Sequence, residues 1–136
     1  LKTMLISTKN RFIKYLSRPY GGRRHDFHLL KQEFPPELPW FENCTIRVDS
    51  GYNGIVNSYR CKSVSIPHKK SKNKPLTTEQ KNVNKQLASE RIFVEHSIGG
   101  LKRFRILSDR LRIHNFDLYD KILGVCAGLW NFNLAN

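Results

Sequence analysis

The stretch Arg91–Leu107, RIFVEHSIGGLKRFRIL, decides how the whole chain is read. Val94, Ile98 and Leu101 recur at helical spacing and continue a series begun by Val83 and Leu87. On that helix Glu95 borders the apolar stripe, with Arg91 one turn before it and Lys102 two turns after. A carboxylate at the edge of a buried face needs a cation or a metal to compensate it. A partly buried ion pair with Arg91 and a ligand position both satisfy that need. The Gly99-Gly100 pair weakens the helix by about 1 kcal/mol per glycine relative to alanine. It predicts a bend or a close backbone contact.

Working back toward the N-terminus, Thr77 and Gln80 match the T-x-x-Q capping box that opens a helix. Before them, His68–Lys74, HKKSKNK, is a basic loop with no apolar residue. Lys62–Pro67, KSVSIP, and Cys44–Val48, CTIRV, read as short strands. The second runs into Asp49, after which Gly51 and Gly54 open a loop. Functional side chains collect at the carboxyl ends of strands in α/β sheets, yet an aspartate in such a place also caps turns through its own backbone. Leu1–Ser17, LKTMLISTKNRFIKYLS, reads as a β-hairpin turning at Lys9-Asn10. A short helix around Phe27 to Glu33 follows, stopped by Pro35, Pro36 and Pro39. At the other end, Leu118 to Phe132 predicts an amphipathic helix with Leu118, Ile122, Val125, Cys126 and Leu129 facing inward. Strands first, alternation in the middle and helices last predict a mixed α/β domain with helices packed on a sheet.

The chain has 136 residues, which predicts one domain over 1–136 with a single core. An apolar fraction of 39% with 26% charged residues describes a globular protein rather than a disordered one. Lys and Arg number 24 against 11 acidic residues, for a net charge of +13. An excess of that size implies a polyanionic partner, above all nucleic acid. Cys44, Cys61 and Cys126 form no C-x-x-C pair, so neither a zinc knuckle nor a disulfide framework is suggested, and reduced, buried thiols in a cytoplasmic protein are the simplest reading. No apolar run reaches the length of a membrane span, so no membrane partner is expected.

Asp49 at a strand end and Glu95 on a helix able to cross that strand suggest a metal site. Mg²⁺ is bound through one or two carboxylates, with water and phosphate oxygens completing the octahedron. Paired ions of this kind stabilise the attacking and leaving oxygens in phosphoryl transfer. Arg91 and Lys102 beside such a site would hold nucleic-acid phosphates, and the basic composition adds general attraction.

With those residues in place, VDSGYNGI, HDFHLL and the Ile66–Leu107 stretch resemble bacterial insertion-sequence transposases of the DDE superfamily. The group most similar is the insertion-sequence-five family, related to the Harbinger transposases. The resemblance runs from Leu1 to about Asn133. It rests on R-x3-E-x6-K, met by Arg91, Glu95 and Lys102, and on D-x-G-Y, met by Asp49, Gly51 and Tyr52. It implies an RNase H-like mixed sheet with helices packed on it. It also implies three metal-binding carboxylates around two Mg²⁺ or Mn²⁺ ions. Asp49 is then the second carboxylate and Glu95 the third, both catalytic. Arg91 and Lys102 take the places of the family's basic residues, with Lys102 against DNA near the transposon end.

The implied reaction is cleavage and strand transfer, acting on terminal repeats and target DNA, in the bacterial cytoplasm at the nucleoid. It leaves room for a homo-oligomer on DNA. The family's tyrosine three residues before the arginine is Ala88 here. The first aspartate belongs on a strand before the hairpin, and Asp26 in HDF matches a different family position. The expectation is therefore a C-terminal part of the catalytic domain, missing the first strand, binding metal poorly and having little or no nuclease activity alone.

His25 and His28, three apart, lack a third ligand and suit a surface or turn role better than a zinc site. Trp40, Trp130 and the phenylalanines of the last helix are expected in the core rather than as base-stacking platforms. Lys69, Lys70, Lys72 and Lys74 suit a solvated loop and phosphate contact equally. Ser97 and Ser108 have no partners for nucleophilic catalysis. Two alternatives account for the charge: a non-catalytic basic nucleic-acid-binding domain, and an RNA-binding or ribosome-associated protein.

Overall fold

The computed structural model describes residues 1–108 and 114–136 and divides into two compact units. One comprises Leu1–Gly22 with Arg91–Asn136, the other Arg23–Glu90. The fold class is mixed α/β, with short strands in small sheets and several helices.

In the first unit, strands β1 (Leu5–Ser7) and β2 (Ile13–Leu16) pair antiparallel, as the sequence predicts. Thr8 N–H donates to Phe12 C=O at 2.9 Å and Arg11 N–H to Thr8 C=O at 3.0 Å, closing the turn across Lys9 and Asn10. The pairing register shifts between Ile6 and Ser7, and Arg11 takes φ 66°, the left-handed region that glycine occupies without cost. Two helices supported by the hairpin build the core. Ile13, Leu101, Cys126 and Ala127 are buried together, with Leu5, Leu16, Phe104, Leu107, Ile122 and Trp130 packed on them.

The helices of this unit are α4 (Ile92–Lys102), α5 (Arg105–Ser108) and α6 (Phe116–Ala135), numbered after α1 to α3 of the other unit. The helix predicted to run on from Thr77 is interrupted at Arg91. Asn115 caps α6, accepting from Leu118 N–H at 3.1 Å. At Gly100, α4 packs tightly against α6: a Cβ there would lie 2.3 Å from the Trp130 ring. The close backbone contact expected at the glycine pair is therefore made by Gly100, whereas a Cβ on Gly99 would meet nothing within 4 Å.

The rotation of both helices corrects the sequence reading. On α4 the buried residues are Ser97, Gly100 and Leu101, while Ile98 is 38% exposed and Val94 half-buried. On α6 the buried residues are Leu123, Cys126 and Ala127, while Leu118, Val125, Leu129 and the phenylalanines expected in the core, Phe116 and Phe132, are exposed. Hydrogen bonds set this phase. Asn131 accepts from Ile13 N–H at 2.8 Å and donates to Ile13 C=O at 2.9 Å. Trp130 Nε1–H and Ser97 Oγ–H both donate to Arg11 C=O, at 2.8 and 2.7 Å. Satisfying half-buried backbone groups outweighs burying a few more aliphatic side chains, because an unpaired buried group costs about 1–3 kcal/mol.

The second unit holds α1 (Asp26–Glu33), β3 (Thr45–Arg47), a 3-10 turn at Ser50–Tyr52, α2 (Ile55–Ser58), β4 (Ser63–Ser65) and α3 (Thr78–Glu90). Strands β3 and β4 pair in parallel, Ile46 opposite Val64. Leu29, Leu30, Ile55 and Tyr59 are its buried residues. The Tyr59 hydroxyl donates to Phe34 C=O and Leu30 C=O, satisfying carbonyls at the end of α1. Phe41 lies edge-on to Tyr59, and Phe34 contacts both Phe41 and Trp40. Trp40 is 44% exposed, held by Nε1–H to Pro35 C=O, so it is not the core residue expected; Trp130 is. The capping box forms as predicted, Gln80 N–H to Thr77 Oγ1 at 3.2 Å and Thr77 N–H to Gln80 Oε1 at 3.1 Å. Arg47 pairs with Glu90 at 2.8 Å, which ties the last turn of α3 to β3 and offsets a carboxylate at a helix C-terminus.

Candidate functional site

In the second unit, Asp49 lies just past β3, where Val48 N–H still reaches Ser65 C=O at 3.1 Å. Its Oδ1 accepts from Gly51 N–H at 2.7 Å, so the turn-capping role weighed from sequence is present. A Cβ on residue 51 would lie 2.9 Å from Asp49 Oδ1, which explains the glycine in D-x-G-Y. Gly54, at φ 93°, makes the second tight turn before α2. Capping occupies one lobe of the carboxylate and orients the group; a carboxylate has further lone pairs for other partners.

The third motif residue, Tyr52, is half-buried and edge-on to Phe27 at 6.4 Å between centroids. Burial, then the negative charges of Asp26 and Asp49, push its hydroxyl up to about 12. Folding thus brings Asp26, at the start of α1, into the field of the same tyrosine as Asp49. Sequence reading set Asp26 aside, and its one local signal was a carboxylate in the first turn of a helix.

In the first unit, Glu95, Ile98 and Lys102 of α4 and Arg91, which precedes it in helical conformation, fall within about 60° of one another, counting 100° per residue. All four are exposed. Their face turns away from Ser97, Gly100 and Leu101, so Glu95 does not border a buried stripe. Among the described residues, no cation lies within ion-pairing distance of Glu95. The Glu95–Arg91 ion pair is therefore not formed, and among the described residues Glu95 presents a carboxylate without an ion-pair partner, flanked by two cations one and two turns away. Asp49 belongs to the unit Arg23–Glu90 and Glu95 to the other.

The basic loop is ordered by Asn84 of α3, which accepts from His68 N–H at 2.8 Å and donates to His68 C=O at 2.9 Å. Ser71 and Lys74 close a tight turn beyond it. Lys69, Lys70, Lys72 and Lys74 are all exposed. His25 caps the start of α1 without a side-chain bond, in line with a turn role. Among the described residues, no three His, Cys, Asp or Glu side chains gather so as to hold a metal ion. The oxygen-donor chemistry of Asp49 and Glu95 suits a hard divalent cation rather than a thiophilic one. No described helix is long and apolar enough to cross a membrane.

Comparison with known proteins adds the family. The profile described as DDE superfamily endonuclease matches residues 1–131. A probable transposase for insertion sequence element IS702 from Microchaete diplosiphon is 38% identical over 116 residues, covering 84% of this chain and 39% of its own length. The chain thus spans about two fifths of the curated relative it matches. No solved structure matches the chain. With the family profile spanning nearly every residue, Asp49 through Tyr52 and Arg91 through Lys102 included, the chain belongs to the DDE superfamily endonucleases.

Proposed function

We propose that these 136 residues belong to an RNase H-like transposase catalytic domain that acts on the ends of an insertion sequence. The observation that carries this reading is the solvent-facing row of Arg91, just before α4, with Glu95 and Lys102 on it, Glu95 having no ion-pair partner among the described residues, in a chain of this family. Asp49 and Glu95 would hold Mg²⁺ or Mn²⁺. When bound, such ions stabilise charge on the attacking and leaving oxygens of a phosphodiester.

The chain's own residues do the rest. Gly51 N–H fixes the Asp49 carboxylate so that one lobe stays directed. Arg91 and Lys102 bracket Glu95 and anchor phosphates, Arg91 through its planar donor fork and Lys102 as a point charge. Lys69 and Lys70, on the loop that Asn84 holds, take further phosphates of terminal-repeat or target DNA. By the family resemblance these residues supply two of three carboxylates. Residues 1–136 by themselves therefore bind DNA well and cut it poorly.

A plasmid-nicking and DNA-binding assay with Mg²⁺ or Mn²⁺ tests this. The expected result is steeply salt-dependent DNA binding that the divalent ion strengthens, and only trace nicking, which Glu95→Gln abolishes. DNA binding indifferent to Mg²⁺ and to Glu95→Gln would instead favour a non-catalytic basic DNA-binding domain. Preference for RNA over duplex DNA in competition would point to an RNA-binding protein.

A further inference from the structure

The tip of the β1–β2 hairpin carries two unfavourable local features. Arg11 sits at φ 66°, a conformation in which a side chain is strained and glycine is not. Thr8 Oγ1 is buried with no hydrogen-bond partner among the described residues. Such features persist where the surrounding structure over-determines them, and here it does. Arg11 C=O receives Ser97 Oγ–H at 2.7 Å and Trp130 Nε1–H at 2.8 Å, from α4 and α6 respectively. Two residues on, Asn131 holds both backbone groups of Ile13. Of the anchoring residues Ser97 is 0% exposed, and Trp130 and Asn131 are half-buried.

What this rigid backbone presents is different in character. Lys9, Asn10, Arg11, Phe12 and Lys14 are exposed, three cations without an acid among them. Lys14 Nζ lies 5.1 Å from the centroid of the Phe12 ring, so that ring holds one ammonium in place. A glycine would relieve the turn, yet an arginine occupies it.

We infer that the Lys9–Lys14 hairpin tip is a preorganised grip for the phosphate backbone of duplex DNA, formed by Lys9, Arg11 and Lys14. Anchoring the backbone in advance lowers the ordering cost of binding. Ser97 lies two residues from Glu95, about 160° around α4. The tip is therefore held on the side of that helix away from Glu95, and the DNA it grips is a segment other than the one at Glu95. The contact is independent of base sequence, as phosphate contacts are. This inference rests on the DNA-binding reading above.

The test measures binding of the 136-residue chain to a short labelled duplex across a salt series, alongside thermal melting. The variants are Arg11→Gly, the triple K9A/R11G/K14A, and a charge-matched triple K81A/K85A/K121A at exposed lysines elsewhere. Arg11→Gly is expected to melt no lower than the wild type while binding roughly fivefold more weakly at moderate salt. The hairpin triple should flatten the slope of log affinity against log salt by about 0.9 per lost phosphate contact. The charge-matched triple should change both far less. If the wild type binds DNA and the hairpin variants match it, or if the charge-matched triple loses as much, the grip is refuted and DNA binding stands. If the wild type binds no DNA, both readings fall.

Discussion

Asn131 and Ile13, 118 positions apart, are joined by two hydrogen bonds, the amide oxygen accepting from the Ile13 N–H and the amide nitrogen donating to the Ile13 C=O. The pair stitches α6 to the strand after the hairpin turn and fixes which side of α6 faces inward. Asn131→Ala leaves both Ile13 backbone groups without that partner, at a cost of about 2–3 kcal/mol. Asn131→Asp keeps the acceptor, loses the donor and sets a carboxylate against the Ile13 carbonyl. It is expected to destabilise at least as much. Denaturant melts of the two variants check this; an Asn131→Ala midpoint equal to the wild type would show that water replaces the clamp.

Neighbouring glycines on α4 should respond in opposite ways. Gly100→Ala drives a methyl group to 2.3 Å from a rigid indole ring, and the two helices must separate. The expected loss is about 1–3 kcal/mol, the range for overpacking. Gly99→Ala meets nothing within 4 Å and should gain up to about 1 kcal/mol from helix propensity. Thermal melting of both, side by side, gives the sign directly.

How much of this was legible in the sequence depends on how local the determinant is. The hairpin turn at Lys9-Asn10, the Thr77–Gln80 box and the extent of α1 follow from neighbouring residues, and all are found. The rotation of α4 and α6 was not legible. Their apolar residues fit more than one stripe, and the choice was made by Ser97, Trp130 and Asn131 reaching the hairpin from 86 to 119 positions away. The same holds at the site. The grouping of Arg91, Glu95 and Lys102 is helical arithmetic and needs only the sequence. The approach of Asp26 and Asp49 to Tyr52 depends on how α1 meets the Ser50–Tyr52 turn, which no spacing rule supplies.

Two of the tyrosines should ionise late. Burial raises Tyr52 and Tyr59 to about 12, with Asp26 and Asp49 adding to the first and Glu37 to the second. In both, the folded value lies above the ordinary 10.0, so folding favours the neutral phenol. That contribution is complete below pH 10 and is lost as pH rises toward 12, because the unfolded chain ionises first. Stability measured by denaturant should fall across this window, and phenolate absorbance should show a late phase that Tyr52→Phe and Tyr59→Phe each diminish. A phenolate titration finished well before pH 12 would contradict the burial of these two rings.

The central proposal, which rests on the family resemblance, is that Asp49 and Glu95 are both ligands of divalent ions. The most direct measurement is Mn²⁺ binding, followed by electron paramagnetic resonance, to the wild type, Asp49→Asn, Glu95→Gln and the double variant. Shared ligation predicts that each single change removes most of the affinity and that the double variant is no worse than either, a strongly non-additive cycle. Affinity unchanged in both single variants, or losses that simply add, would place the two carboxylates in separate environments and contradict the account.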